Sequence, residues 1–323
     1  MDAQPRFHYR SPANQHDASA IMAMVLVTGG SGFVGTHLLP ILHRRFPDRR
    51  ILAPAFDITD PAATSDAIAA AHPQTVLHLA AVAAPAEAKR DPDAAWRVNL
   101  HGALNVAHAV RATPECTMIF VSTADAYGTS FNAGRADERT PLAPRNAYAA
   151  TKAAADLALG AMAADGLSLI RLRPFNHTGP GQSEVYAVPA FARQIARIEA
   201  GLQSPTIEVG DLDAIRDFLD VRDVCQAYAA AIAHAGSLPP GQILNIASGT
   251  GRRVGDILND LLRLSGVTAE IRTDPSRLRP SDIPTATSDP TAARQALDWS
   301  PQIPWPQTLQ EILEHWRHRT ASR

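Results

Sequence analysis

The sequence predicts an α/β fold in which a doubly wound parallel sheet is followed by a smaller C-terminal lobe. Short runs rich in Val, Ile and Leu recur with little alternation of polar residues, as is typical of strands buried on both faces. Ala-rich stretches with helical spacing lie between these runs, and such alternation is typical of a parallel sheet. The predicted strands are MVLVT at 24–28, RILAPA at 50–55, TVLHLAA at 75–81, TMIFVST at 117–123, LSLIRLR at 167–173 and QILNIAS at 242–248.

The intervening helices are predicted over 62–71, 93–111 and 146–164. From residue 174 onward the composition changes, because clusters of Pro, Gly and Arg appear in segments such as PFNHTGPGQ and PSRLRPSDIP. Such loop-rich sequence indicates a smaller lobe, while the late apolar run at 242–248 indicates a strand that returns to the sheet.

The composition excludes several classes of protein. The chain has 323 residues with 30 Lys+Arg against 32 Asp+Glu, and this near-balance argues against a dedicated nucleic-acid binder. Hydrophobic residues make up 46% and charged residues 19%, so a large core can form. Cys116 and Cys225 lie far apart in apolar runs, so neither a disulfide framework nor a metal site is expected. This use of cysteine is typical of proteins in a reducing cytoplasm. No apolar stretch of about 18 residues predicts a membrane span, and the polar residues 1–20 predict a disordered extension.

A glycine-rich loop follows the first predicted strand and opens a helix. Gly29, Gly32 and Gly35 are spaced as GxxGxxG in TGGSGFVG. Glycines at this place let the backbone approach a pyrophosphate, and the N-terminus of the helix favours the anion. The alternative is a glycine-rich turn without a ligand, but the strand–loop–helix context favours a dinucleotide site.

The second sign of a dinucleotide site is an acid about 20 residues further on, which binds the ribose 2′-hydroxyl. That acid is missing, since residues 53–55 are Ala, Pro and Ala and Asp57 comes slightly late. The nearby arginines can meet a 2′-phosphate or form a solvated helix end, and we favour the helix end; they are Arg44, Arg45, Arg49 and Arg50. The choice between NAD and NADP stays open, with a slight preference for NADP.

A candidate proton-transfer pair lies in NAYAATKAAAD, where Tyr148 and Lys152 stand four residues apart on a predicted helix. Residues with this spacing share a helix face, so the ammonium can sit close to the phenol. A nearby cation favours phenolate and lowers a tyrosine pKa from its usual value of about 10, which gives a usable acid or base. Thr123, at the end of the fourth strand, is either a cap or a donor to the reacting oxygen, and Asp125 is either a surface turn residue or a carboxylate facing the substrate.

Three motifs stand in order along the chain, namely TGGSGFVG, VSTADAYG and YAATK. Together with HLAA, RVNLHGALNV and RLRPFNHTGPGQ, they resemble the extended short-chain dehydrogenase/reductase family of nucleotide-sugar epimerases, dehydratases and reductases. The resemblance covers about residues 24–317. Within that family, FNHTGPGQ, FARQIARIE, VGDLDAIRDFLDVRDVCQAY and RLRPSDIP are most similar to the GDP-4-keto-6-deoxy-mannose reductases.

This resemblance implies a Rossmann sheet and a homodimer that acts on a nucleotide sugar. It implies NAD(P)H-dependent reduction of the 4-keto group of GDP-4-keto-6-deoxy-mannose to GDP-rhamnose or its 4-epimer, without a metal. The dinucleotide-binding domain then comprises residues 21–175 and about 215–247, and the substrate-binding domain comprises 176–214 and 248–323.

The resemblance also assigns roles to residues. Catalysis is assigned to Thr123, Tyr148 and Lys152. The cofactor-binding set adds to Tyr148 and Lys152 the residues Gly29, Gly32, Phe33, Val34, Gly35, Asp57, Ile58, Leu79, Ala80, Ala81 and Asn99. The substrate-binding set is Asp125, Asn176, Arg193, Val209, Arg216 and Arg279. Guanidinium groups bind phosphate oxygens bidentately, which supports a diphosphate clamp of Arg216 and Arg279, although either could instead pair with Asp217 or Asp282.

Two departures from the family pattern bear on specificity. The segment from Arg44 to Asp57 is short, so the loop that holds the adenosine ribose is trimmed. Residues 82–84 are Val, Ala and Ala, where the family reductases often carry Ser or Thr. A nucleotide-sugar 4-epimerase is the second hypothesis. A 4,6-dehydratase is the third, because the similar dehydratases carry a Glu where Asp125 stands, and Ala124 provides no partner for it. A catalytically silent dinucleotide-binding sensor is the alternative of a different class, since fold alone does not imply function.

Overall fold

The computed structural model describes residues 23–277 and 283–322. The predicted extension 1–20 and the predicted ligand Arg279 lie outside the described residues.

Twelve strands are present in the described part of the chain. They are β1 (Met24–Thr28), β2 (Arg50–Leu52), β3 (Thr75–His78), β4 (Thr117–Val121), β5 (Leu169–Pro174), β6 (Asn176–Thr178), β7 (Thr206–Val209), β8 (Ile215–Asp220), β9 (Gln242–Ile246), β10 (Gly251–Arg253), β11 (Glu270–Thr273) and β12 (Thr285–Ala286). Six of them form one parallel sheet in the order β2-β1-β3-β4-β5-β9. These are the six predicted strands, so the predicted fold class is confirmed.

Eleven α-helices connect the strands of the described chain. They are α1 (Phe33–Arg45), α2 (Pro61–Ala71), α3 (Pro85–Arg90), α4 (Pro92–Trp96), α5 (Ala103–Arg111), α6 (Ala147–Ala164), α7 (Ala187–Glu199), α8 (Val221–Ala233), α9 (Val254–Ser265), α10 (Thr291–Leu297) and α11 (Trp305–Ala321). The single helix predicted over 93–111 is instead divided, because a π-helical turn over Arg97–Gly102 separates α4 from α5.

Helices cover both faces of the sheet, which explains why its strands are apolar throughout. In β1, Val25 and Val27 pack in one core with residues of α1 and α8, while Leu26 packs in another with residues of α2 and α5. Alternate residues of a strand point to opposite faces, so a strand covered on both sides has no polar face.

The C-terminal lobe has a core of its own, formed mainly by residues of α7, α9, α11 and β7. Strand β8 belongs to the lobe, where it pairs with β10 on one side and with β6 and β12. The chain then returns to the sheet, since α8 packs with α1 in the sheet's core and β9 forms an edge of the sheet. Ala293 and Leu297 of α10 also pack in the sheet's core. The predicted division into two domains stays a prediction.

The order β2-β1-β3 places a topological switch at β1, because the chain leaves β1 toward one edge and later continues on its other side. In open α/β sheets, ligands bind beside the carboxyl ends of the strands at such a switch. The predicted site residues follow these strand ends, with Gly29 after β1, Leu79 after β3 and Thr123 after β4. Among the helices described, none is long and apolar enough to cross a membrane.

Candidate active site

The glycine loop after β1 leaves no room for side chains. Gly29 has a φ of +73°, and a Cβ added there would lie 2.7 Å from the backbone nitrogen of Ala80. A Cβ on Gly35 would lie 2.3 Å from the carbonyl oxygen of Gly30. Helix α1 begins after Gly32 with no side chain capping its first amides. Unused amides at a helix N-terminus form an anion site, so this loop, with Phe33 and Val34 in the first turn, fits a dinucleotide pyrophosphate.

The end of β2 borders this loop and carries no acid. A Cβ on Gly30 would lie 2.7 Å from the Cβ of Ala53, so the usual place of the ribose-binding acid is taken by an exposed alanine. Strand β2 is the edge of the sheet, which agrees with the short Arg44–Asp57 segment.

The arginines near this segment point to the other end of the molecule. Arg44 and Arg45 end the 13-residue helix α1, about 18 Å from its N-terminus. Arg45 donates to Gln226 of α8, and Arg49 lies 4.7 Å above the ring of Phe46. Arg44 and Arg45 thus form a solvated helix end, the favoured interpretation, while Arg49 lies after the helix and Arg50 begins β2.

Asp57 and Ile58 form the turn that leads into α2. The Asp57 carboxylate accepts hydrogen bonds of 2.8 Å from the backbone nitrogen and the hydroxyl of Thr59, and these bonds lower its pKa. Ile58 is buried, and a Cβ on Gly102 would lie 2.7 Å from its Cδ1. This contact ties the turn after β2 to the π-helical segment.

Asn99, in the π-helical turn, is occupied by partners within the protein. Its amide oxygen accepts from the backbone nitrogen of Val82 at 2.8 Å, and its amide nitrogen donates to the Val82 carbonyl at 3.1 Å. The same nitrogen donates to the hydroxyl of Thr151 at 2.9 Å. Asn99 thus fixes the segment after β3, which contains Leu79, Ala80 and Ala81, against helix α6. π-helical turns are frequent at functional sites.

The side chain of Thr123 is hydrogen-bonded to the phenol of Tyr148. The Thr123 hydroxyl also accepts from the backbone nitrogen of Asp125 at 3.2 Å, so it is a cap as well as a partner of the tyrosine. The charge of exposed Asp125 acts on both Tyr148 and Arg216. Both interpretations of Asp125 stay open, since its side chain is exposed and its charge also reaches the site.

Lys152 is buried one turn further along α6. Its Nζ donates to the carbonyl oxygen of Val121 at 2.6 Å and lies 4.2 Å from the centre of the Phe120 ring. Burial lowers the pKa of Lys152 to about 7, although the charge of Asp156 opposes this change.

The expected lowering of the Tyr148 pKa by Lys152 is not found. Burial raises the Tyr148 pKa instead, the charges of Asp125 and Tyr186 add to this rise, and the hydrogen bond from Thr123 opposes it. The physical reason is that the phenol is removed from water, while the Lys152 ammonium is directed to Val121. The phenol is therefore protonated at neutral pH, as an ordinary tyrosine is, and it carries the proton that an acid gives up.

On the lobe side, Arg216 stands on β8 beside the loop that precedes β12. Its guanidinium donates to the carbonyl oxygens of Ile283 at 3.0 Å and Pro284 at 3.1 Å, and burial lowers its pKa. Asp217 accepts instead from the backbone nitrogens of Ser248 and Gly249, at 2.9 and 2.7 Å. The structural alternative of an Arg216–Asp217 pair is therefore not what the structure contains.

The remaining predicted substrate residues are placed as follows. Asn176 is exposed on β6, where it pairs with Phe218 of β8, next but one to Arg216. Arg193 is half-buried on α7, with its Nε 3.9 Å from Glu184. Val209 ends β7 with its side chain buried in the lobe core. Asn176 thus shares a sheet with Arg216, whereas Val209 can offer a ligand only its backbone.

Sequence reasoning missed two features of this site. Tyr186, the residue before α7, lies within electrostatic reach of Tyr148, and no motif marks it. Asp156 is buried in contact with Arg171 and Arg173 beneath Lys152. A signal for the second was present, because arginines at alternate positions of the apolar strand LIRLRP require a buried anion. No group of His, Cys, Asp or Glu side chains that could hold a metal occurs within the described residues.

Comparisons with known proteins agree with this geometry. Residues 25–247 match the model of the NAD dependent epimerase/dehydratase family. The GDP-6-deoxy-D-mannose reductase of Pseudomonas aeruginosa is 35% identical over 312 residues, which are 91% of this chain and 97% of that protein. The GDP-6-deoxy-D-talose 4-dehydrogenase of Aggregatibacter actinomycetemcomitans is 28% identical over 83% of this chain and 88% of its own.

Solved structures give the same picture. RMD from Pseudomonas aeruginosa complexed with NADPH has a TM-score of 0.84 and 33% identity, over 92% of this chain and 99% of its own. The UDP-glucose 4-epimerase of Thermus thermophilus in complex with NAD has a TM-score of 0.79 and 29% identity, over 91% of this chain and 99% of its own.

Proposed function

Because the chain belongs to the NAD dependent epimerase/dehydratase family, we propose that it reduces the 4-keto group of a nucleotide sugar with NAD(P)H. The substrate that we propose is GDP-4-keto-6-deoxy-mannose, and the product is GDP-rhamnose or its 4-epimer. The observation that carries the proposal is the hydrogen bond between Thr123 and the protonated phenol of Tyr148, beside a loop shaped for a dinucleotide. The likeness to the GDP-6-deoxy-D-mannose reductase supports the choice of sugar.

Tyr148 is the proton donor in this proposal. When bound, the reduced nicotinamide supplies the hydride that reaches C4 of the sugar. The proton of the Tyr148 hydroxyl moves to the C4 oxygen as negative charge develops there, and Thr123 holds that oxygen with a second hydrogen bond. A donor already oriented toward developing charge is often the largest contribution to catalysis. Burial raises the pKa of Tyr148 in the empty site, so a bound substrate and the Lys152 cation must lower it for the proton to move.

Lys152 supports the donor. We propose that its ammonium, directed to Val121 in this structure, turns toward the cofactor ribose and Tyr148 when the site is filled. In that position a cation lowers the energy of the phenolate left after proton transfer. The glycine loop, with Asp57, Ile58 and residues 79–81, forms the rest of the cofactor site.

Arg216 is the proposed anchor for the substrate diphosphate. The Arg216 guanidinium stands on β8 on the lobe side of the site, and its planar fork of donors matches the oxygens of a diphosphate. Asn176 on the paired strand extends the same site, and Asp125 faces the sugar hydroxyls. Arg193, Val209 and Arg279 complete the proposed set.

We propose that two copies associate through α5 and α6. Leu157 of α6 is 60% exposed and Trp96 of α4 is 36% exposed, so apolar side chains face outward on the helices beside the sheet. Ala-rich helices allow close approach of a second pair of helices.

Cys116 and Cys225 are both free and buried, in keeping with action in the cytoplasm.

One experiment tests the reaction. The protein is incubated with GDP-4-keto-6-deoxy-mannose and either NADPH or NADH, cofactor oxidation is followed, and the product sugar is identified by NMR. Stoichiometric oxidation and a 6-deoxy sugar reduced at C4 are expected. Conversion of a UDP-sugar to its 4-epimer without net oxidation would instead favour the second hypothesis, which the 27% identity to the UDP-glucose 4-epimerase of Rhizobium meliloti supports.

A further inference from the structure

A buried ionic cluster lies beneath Lys152. The carboxylate of Asp156, which has no exposed surface, stands four residues after Lys152 on α6. Arg173 donates to both of its oxygens, from Nε at 2.9 Å and from Nη2 at 2.8 Å. Arg171 donates from Nη1 to the carboxylate at 3.0 Å and to the Asp156 carbonyl at 3.1 Å. The cluster therefore joins the catalytic helix to β5.

The cluster holds two cations for one anion. Arg173 also donates to the hydroxyl of Tyr127 at 3.1 Å, and that hydroxyl donates to Asn245 at 2.7 Å. Neither contact adds negative charge, so the single carboxylate of Asp156 is the anion with which both guanidinium groups pair. These hydrogen bonds and charges lower the Asp156 pKa even though burial opposes the change. Asp156 is consequently ionised at neutral pH.

The other groups named around Lys152 supply no negative charge to stabilise its ammonium. His78 of β3 is buried and shares a hydrogen bond of 2.7 Å between its Nδ1 and the Thr28 hydroxyl. Burial, with Lys152 adding to it, lowers the His78 pKa to about 3, so this ring is neutral. From β4 the ammonium meets the Val121 carbonyl and the Phe120 ring, neither of which carries a negative charge. Asp156 supplies the negative charge in this surrounding.

We propose that Asp156 is a positioning residue that acts through Lys152. Its carboxylate, fixed by Arg171 and Arg173, keeps the Lys152 amine protonated inside an apolar site, so that a cation stands behind Tyr148 during turnover. The role in turnover rests on the proposed function, but the effect on Lys152 does not.

The test uses a property of the composition. The chain has two lysines, Lys89 and Lys152, and Lys89 is exposed on α3. Protein labelled with ¹³C at lysine Cε therefore gives two signals, and Lys89 serves as the internal reference in a pH titration of the cofactor-free protein. Exchanging Asp156→Asn removes the negative charge at nearly constant volume. We expect the Lys152 titration to move to lower pH by about one pH unit.

A second variant moves the titration the other way. Arg171→Met removes one cation and leaves the two-pronged Arg173–Asp156 pair intact, so the Lys152 titration should move to higher pH. Asp156→Glu should leave it close to that of the wild type. If Asp156→Asn does not fold, as judged by near-UV circular dichroism, Arg171→Met decides. An unchanged Lys152 titration in the folded variants would overturn the proposal.

Turnover gives the second measurement. With the 4-keto sugar nucleotide and NADPH, the alkaline limb of the pH profile of kcat/KM should move in the same direction as the Lys152 titration in each variant. A residue with only a structural role would lower kcat at all pH values without moving the limb. If the protein shows no turnover with this substrate, the proposed function fails while the NMR titration still decides the role of Asp156.

Discussion

Lys152 donates a hydrogen bond of 2.6 Å from Nζ to the carbonyl oxygen of Val121, the last residue of β4. This bond fixes the ammonium of Lys152, on α6, at the carboxyl end of the sheet. Its acceptor, Val121, stands two residues before Thr123. The chain thereby joins the strand that supplies Thr123 to the helix that supplies Tyr148. The bond therefore helps to hold Thr123 and Tyr148 next to each other.

Replacing Tyr148 by Phe should lower kcat by about 10²–10⁴-fold, because the proton donor is lost while the ring remains. KM for the sugar nucleotide and the melting temperature should change little. The measurement is steady-state oxidation of NADPH, with a thermal melt of the same preparation. Thr123→Val removes the hydroxyl beside Tyr148. Thr123→Ser keeps that hydroxyl and is its matched control. Turnover of Tyr148→Phe at the wild-type rate would contradict the role of Tyr148.

The glycine loop offers a test of cofactor binding. In Gly35→Ala the new Cβ meets the Gly30 carbonyl oxygen at 2.3 Å, and backbone on both sides must move. We expect NADPH to bind more than about tenfold weaker, a loss of about 1.4 kcal/mol, measured by fluorescence titration. Gly236→Ala is the control, since no atom lies within 4 Å of its added Cβ. Equal affinity of both variants for NADPH would show that the loop does not hold the cofactor.

Arg216 gives a prediction for the substrate. Arg216→Lys keeps the charge but loses the planar fork that matches a diphosphate. KM for the sugar nucleotide should rise by about 10–100-fold while KM for NADPH stays the same, in line with a charged hydrogen bond lost from a buried site. Arg263→Lys, at an exposed position on α9 outside the proposed site, is the control and should leave both KM values unchanged. A rise in both KM values together would indicate a disturbed fold instead.

The buried side chain of His78 makes the free energy of unfolding depend on pH. Its pKa is about 3 in the folded protein against 6.5 when unfolded, so the unfolded chain binds the extra proton between these values. The free energy of unfolding should therefore fall as pH falls from 6.5 toward 3, with this residue contributing up to about 1.4 kcal/mol per pH unit. The double variant His78→Leu, Thr28→Val removes both partners of the buried hydrogen bond. Urea unfolding at about pH 6.5, 5 and 4 should show a shallower loss for the variant than for the wild type.

The sequence was sufficient for the main sheet because its strands are buried on both faces. Runs such as MVLVT and TMIFV have no polar face, and β1 occupies the predicted residues 24–28. The tight turn at the loop glycines was also predictable, since glycines between a strand and a helix indicate close approach of the backbone, and their role in cofactor binding stays a prediction. Both signals are local, which is why a single sequence contains them.

The place of a side chain in the fold and the partners of a buried charge were not predictable from the sequence. Arg44 is close in sequence to the position of the missing ribose-binding acid, yet the length of α1 carries it to the opposite end of the sheet. Asp156, Arg171 and Arg173 were each visible as charges in apolar surroundings, but their pairing depends on how α6 lies on β5. The pKa of Tyr148 was predicted with the wrong sign, because the i,i+4 spacing of Lys152 says nothing of burial or of Val121.

The position of Arg44 leads to the last prediction. Cofactors with and without a 2′-phosphate differ only near the adenosine ribose, which lies beside Ala53 and the glycine loop if the loop binds the pyrophosphate. Arg44 and Arg45 lie about 18 Å away along α1, beyond about two Debye lengths of screening at physiological salt. The double variant Arg44→Gln, Arg45→Gln should therefore keep the wild-type ratio of kcat/KM for NADPH over NADH to within about twofold. Ala53→Asp, which restores an acid at the end of β2, should shift the same ratio toward NADH by at least about tenfold, because a carboxylate repels the 2′-phosphate and accepts from the 2′-hydroxyl. A large change in the arginine variant, with none in Ala53→Asp, would mean that the adenosine lies elsewhere.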